Sequence, residues 1–136
     1  MKSLFTFFYL LSHIYSYAQN IKSIDSNHIV KNIFYEITGS YESKYVSVED
    51  IYKIENRNIK ISIDTLCINN SCYYITSPVY YSGVQIEEYK FIYFFFRLKG
   101  GVICILYIKE NELLTIETCN PKNKEFIQYA HIKPEK

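Results

Sequence analysis

The sequence predicts a mainly β chain of the α+β kind. One N-terminal amphipathic helix is expected, followed by an antiparallel meander of about 7–8 short strands folded as a small barrel or a sandwich. Three observations carry this. An apolar repeat with a helical period runs over 29–37 and stops at Gly39. Beyond it, short apolar or alternating runs recur between polar turns. The three prolines, Pro78, Pro121 and Pro134, fall outside those runs.

The chain opens MKSLFTFFYLLSHIYSYAQN. Lys2 precedes an apolar run centred on Leu4, Phe5, Phe7, Phe8, Leu10 and Leu11. Ser16-Tyr17-Ala18 then sets small residues at the −3 and −1 positions of a cut before Gln19. That is the pattern of a secretory signal peptide, so residues 1–18 are expected to be removed and 19–136 to form a single β-rich domain. The run is broken by Ser12 and His13, short of the roughly 20 apolar residues that span a bilayer. No membrane insertion of the mature chain is therefore expected, and the product is expected to be exported, periplasmic or secreted. Loss of 1–18 removes Lys2 and no acid, leaving 14 of the 15 basic residues against 14 acidic ones. A balanced charge argues against nucleic acid as a partner, because phosphate neutralisation needs a basic surface.

Within the mature chain, Ser26 or Asp25 can cap a helix over about 27–37. Ile29, Val30, Ile33, Phe34 and Ile37 then line one face. Gly39 supplies the positive φ that often ends a helix. Ile59, Ile61 and Ile63 alternate with Lys60, Ser62 and Asp64, a half-buried strand. Residues 51–55 are its expected hairpin partner across Asn56-Arg57-Asn58. A short helix competes there, because Ser47 and Asp50 have capping-box-like spacing. Residues 66–68 and 72–75 form the next pair. FIYFFFRL (91–98) and VICILYI (102–108) are apolar on both faces and belong inside the sheet. Lys99-Gly100-Gly101 turns between them. LLTIET (113–118) and FIQYAHI (126–132) complete the set.

The cysteines read as two staples. A two-residue turn at Asn69-Asn70 sets Cys67 opposite Cys72 in a non-hydrogen-bonded pair, with Cα atoms about 4.5 Å apart and side chains on one face. Cys104 and Cys119 lie on the two arms of the next hairpin but one. They face each other if its turn centres on Asn111-Glu112, and fall two residues apart on the same face if it centres on Glu110-Asn111. The expected bridges are Cys67–Cys72 and Cys104–Cys119, among three possible connectivities. Free buried thiols are the alternative. A zinc site fits poorly, because C-x4-C and C-x14-C lack the usual C-x2-C knuckles. No metal or other cofactor is expected. Asn69-Asn70-Ser71 also fits the glycosylation sequon.

No catalytic motif is present, and only His28 and His131 remain beyond residue 18. The adjacent acids Glu49-Asp50 and Glu87-Glu88 would point to opposite faces of a strand. The chain is therefore expected not to be an enzyme. SPVYYSGVQIEEYK (77–90) lacks clear alternation and reads as a loop. Its Tyr80, Tyr81, Glu87, Glu88 and Tyr89 are the candidate partner-binding residues. The 15 Tyr and 9 Phe, with no Trp, fit either a binding surface or A/T-rich coding.

The leading expectation is a small exported soluble protein, non-enzymatic, that binds another macromolecule, a protein partner. In a bacterium this means a periplasmic inhibitor or immunity-type protein. Gly39-Ser40-Tyr41 ahead of a meander resembles the G-x-W start of lipocalin-type barrels, with Tyr in the Trp position and only three residues matched. That resemblance implies the first alternative, a small apolar-ligand carrier with a lipocalin-like barrel. The second alternative is an enzyme with an unrecognised site, which requires His28 or His131 beside a carboxylate or hydroxyl.

Overall fold

The computed structural model describes residues 21–49, 51–86 and 89–135. The expected signal peptide, residues 1–18, lies outside them. The elements are β1 (Lys22–Ser23), a 3-10 turn (Ile24–Ser26), α1 (His28–Ile37), β2 (Gly39–Val48), β3 (Ile51–Ile61), β4 (Thr65–Ile68) and β5 (Ser71–Tyr74). Then come β6 (Tyr80–Ile86), β7 (Tyr89–Arg97), β8 (Ile103–Lys109), β9 (Glu112–Asn120) and β10 (Glu125–Pro134). The protein is mainly β, with ten described strands where about seven or eight were expected. The helix is preceded by β1 and the 3-10 turn, so it does not head the described fold.

All strands belong to one antiparallel sheet, ordered β1-β6-β7-β8-β9-β10-β2-β3-β4-β5. Strands β6 to β10 form a meander, and β2 to β5 continue it from the far side of β10. The join is long: β10 pairs with β2 from Ile127↔Val48 to Pro134↔Tyr41. A plain meander is therefore not observed, since strands far apart in sequence close the middle of the sheet. The sheet curls into a half-barrel. Its β5 end returns to the β7 corner, where Ile75 bridges Leu98. There the Thr76 N–H donates to Arg97 O at 2.8 Å and the Lys99 N–H to Tyr74 O at 2.8 Å.

Helix α1 forms because its apolar residues fall on one stripe and its first turn is capped. Asn27, not Ser26 or Asp25, is the cap: its Oδ1 accepts from the N–H of Ile29 (3.0 Å) and Val30 (3.2 Å). Asp25 and Ser26 are taken up by the 3-10 turn. Val30, Ile33, Phe34 and Ile37 are buried, and the Phe34 ring meets Phe94 edge-on at 5.3 Å. Gly39 takes φ 151°, a conformation that L side chains rarely adopt, as the chain leaves the helix for β2.

The helix covers the inner face of the sheet. Across that face Tyr81, Phe94, Leu106, Ile116, Tyr129 and Val46 stand opposite one another on successive strands. Phe94, Leu106 and Ile116 are fully buried. β7 and β8 lie inside the sheet, as their two apolar faces require. The other face carries Tyr93, Phe95, Ile105, Tyr107 and Glu117.

Three further expectations are corrected. Residues 51–61 form one strand, so Asn56-Arg57-Asn58 is not a turn; a bulge opposite Ser43/Tyr45 absorbs the break in alternation. β2 was not anticipated as a strand. Its inward positions include Ser43, whose buried hydroxyl has one proton to share between Ala130 O at 2.8 Å and Tyr45 O at 3.0 Å, so polarity hides its inner face. The 77–90 loop is largely strand: β6 pairs with β7 from Tyr80↔Phe95 to Ile86↔Tyr89.

Candidate functional site

β3 is long and only partly covered. On one side it pairs with β2 from Val48↔Ile51 to Gly39↔Ile61. On the other side β4 pairs only with its last three residues, Ile59↔Ile68, Lys60↔Cys67 and Ile61↔Leu66. Asn69 ends this ladder. It takes φ 54° at the β4–β5 turn, its N–H donates to Asn58 O at 2.6 Å, and its Oδ1 accepts from the Asn58 N–H at 3.0 Å. The Cys67–Cys72 disulfide joins the opposed cysteines across the hairpin, with Cα atoms 4.0 Å apart. The staple and Asn69 together fix where the covering hairpin stops.

Beyond that point, residues 51–57 have no strand on the side away from β2 among the described residues. Half of the backbone N–H and C=O groups of such an edge face outward. The edge is also apolar: Ile51 is 64%, Tyr52 70% and Ile54 83% exposed. Ile51 and Lys53 stand opposite Val48 and Val46, on the inner face. Tyr52 and Ile54 stand opposite Ser47 and Tyr45, on the outer face. A Glu55–Arg57 ion pair at 2.8 Å follows. Both faces of this segment are therefore sticky as well as its backbone. Lys53 and the bulge are the kind of feature that restrains indiscriminate edge pairing.

A second cluster lies on the outer face of β8, β9 and β10. Glu117 is 7% exposed and forms no ion pair among the described residues. The Tyr107 hydroxyl donates to its Oε2 at 2.8 Å and Gln128 Nε2 to its Oε1 at 3.4 Å. The Tyr93 ring stands edge-on to Tyr107 at 5.0 Å. Burial raises the Glu117 carboxyl to about 7 against the hydrogen bond from Tyr107, which lowers it. Sequence reasoning missed Glu117. Strand alternation counted from the turn would put it with Leu113, but an extra residue at Leu114 turns it to the other face.

The same bulge settles the remaining cysteines. The turn sits at Glu110-Asn111, both at positive φ, and the register then shifts between Tyr107 and Ile108. Cys104 stands opposite Thr118, and Cys119 opposite Ile103. One residue of slip flips a side chain across the sheet, so the two thiols point to opposite faces. The expected Cys104–Cys119 bridge is not formed, and both are buried free thiols. Burial and then the nearby Glu117 charge push the Cys104 thiol up, and burial takes Cys119 up to about 11. Neither is a reactive thiolate at neutral pH.

Of the candidate partner-binding residues, Tyr80 is half-buried and stacks on Phe95 at 5.6 Å. Tyr81 stands opposite Phe94 and packs on the core. Glu87 and Glu88 lie outside the described residues, and only the backbone of Tyr89, at the start of β7, is described. The structure thus brings Tyr80 and Tyr81 to neighbouring strand positions on opposite faces. His28 heads α1 and is exposed; His131 is exposed on β10 with its ring 4.4 Å from that of Tyr45. Among the described residues no three His, Cys, Asp or Glu side chains converge to hold a metal ion. No helix among them is long and apolar enough to cross a membrane.

No family model, no curated protein and no solved structure matches the chain.

Proposed function

We propose that the protein is a non-enzymatic binding module, exported to the periplasm or beyond the cell, that takes an extended segment of another protein as an added strand on the open β3 edge. The observation that carries this is the apolar stretch at 51–57, paired with β2 on one side only among the described residues and bounded by a hairpin whose disulfide and Asn69 fix its end. Strand addition to a free edge gives affinity through main-chain hydrogen bonds and specificity through alternate side chains. Here Tyr52 and Ile54 would grip one face of the incoming strand and Ile51 and Lys53 the other. The disulfide supports an oxidising compartment, where such bonds persist. An inhibitor or immunity-type role in a bacterium is an analogy of size and compartment. Tyr80, Glu87, Glu88 and Tyr89 are kept as a second contact region.

The test is site-specific photo-crosslinking in the native host. A photoreactive residue at position 54 is expected to give one discrete adduct, mapped to an extended segment of its target. The same residue at position 122, in the β9–β10 turn, is expected to give none. A synthetic peptide of the mapped segment should then bind the purified protein and slow amide exchange at 51–57. Equal adducts from both positions, or none from position 54, would overturn the reading.

A further inference from the structure

Where β4, β5, β9 and β10 meet the β7–β8 turn, the structure holds a recess of about 340 Å³. That is within the size range of small-molecule sites. Ile68, Val102 and Ile127 give it apolar walls, and Tyr129 lines it. Tyr129 is 5% exposed, and its hydroxyl makes no hydrogen bond among the described residues. A buried Tyr hydroxyl usually has a partner, and none of the described residues supplies an acceptor to this one.

The chemistry of that acceptor follows from the charges around it. Burial takes the Tyr129 phenol up to about 12, so it stays protonated and acts as a donor. Lys99 and Glu125 both sit at the recess, one of each sign. Arg57, which acts on Tyr129 through its charge, is tied to Glu55 at 2.8 Å. The recess therefore offers no surplus charge to attract an ion, and its walls reject one.

We propose that this recess is a binding site for a small neutral molecule with an apolar body and a carbonyl oxygen, such as a ketone, ester or lactone. The apolar body lies against Ile68, Val102 and Ile127, and the Tyr129 hydroxyl donates to the carbonyl. None of the residues that line the recess belongs to the open stretch 51–57, so the ligand site does not rest on strand addition there.

The test is titration of the full chain with 2-octanone, followed by NMR chemical shifts and calorimetry, with octanoate and octylammonium as charged comparators of similar length. Saturable binding of the ketone is expected, with shifts at Ile68, Val102 and Ile127. Tyr129→Phe keeps the shape and removes the donor; it should weaken binding about fivefold, the size of one neutral hydrogen bond. Val102→Phe should fill the recess and abolish binding, with the thermal midpoint recorded for both variants. Lack of saturation at the solubility limit of the ketone would overturn the proposal. So would equal affinity of Tyr129→Phe, or octanoate binding as tightly as the ketone.

Discussion

Glu117 makes the stability of this protein depend on pH in an unusual direction. Its carboxyl titrates near 7 in the folded chain, against an ordinary value of 4.5, chiefly because it is buried. A raised folded pKa means that the folded state holds the proton more tightly than the unfolded state does. The stabilisation is fully present below about 4.5 and is lost as pH rises through about 7. At 1.36 kcal/mol for each unit of pH, the gap is about 3 kcal/mol. For a chain of this size that corresponds to roughly 10 °C in the thermal midpoint. Glu117→Gln keeps the shape and can still meet Tyr107 and Gln128, but does not ionise. The assay is urea unfolding at a series of pH values for both proteins. Near pH 4 the two should be about equally stable. Near pH 8 the Gln variant should be more stable by about 3 kcal/mol. Histidines and surface carboxylates contribute alike to both curves, so the difference isolates Glu117. Parallel curves, or a Gln variant that is less stable near pH 8, would refute the reasoning, since the carboxylate would then be well accommodated as an anion.

Other expectations follow from the same structure. Replacing Cys67 and Cys72 together by Ser should cost about 2 kcal/mol in urea unfolding, from the entropy of the short loop they close; reductant should produce the same loss in the unmodified protein. Phe34→Ala should cost about 3–5 kcal/mol, because it removes the fully buried contact of α1 with Phe94. A thermal scan that leaves the midpoint unchanged would mean that α1 is not docked. Ile54→Asp should change stability by less than about 0.5 kcal/mol, since the side chain is exposed, yet it should eliminate partner capture at the β3 edge.

Most strands announce themselves through apolar content, and the hairpin stapled by Cys67–Cys72 could be placed residue by residue. Its turn is short, so register propagates without error from Asn69 to the cysteines. Register elsewhere was hidden by bulges. One extra residue at Leu114 separates Cys104 from Cys119 and turns Glu117 to the outer face. The bulge near 55–56 makes a continuous strand look like two arms and a turn. β2 was masked because its buried position Ser43 is polar and bonded to main-chain carbonyls. The strand order could not be read from local pattern at all, because the β10–β2 pairing joins segments far apart in the chain, from Ile127 with Val48 to Pro134 with Tyr41. The open edge of β3 is a consequence of that order and of where Asn69 stops β4. No local motif encodes it; Ile51, Tyr52 and Ile54 look like ordinary strand residues until their neighbour is seen to be missing.

The most direct measurement is residue-resolved amide hydrogen exchange along β3 in the free protein. An edge paired with β2 alone should show alternating fast and slow amides over 51–57, and consistent protection at 59–61 where β4 covers the other side. That pattern is the result the account predicts. Uniform strong protection through 51–57 would contradict it, because it would mean that the edge is already covered and not open to an added strand.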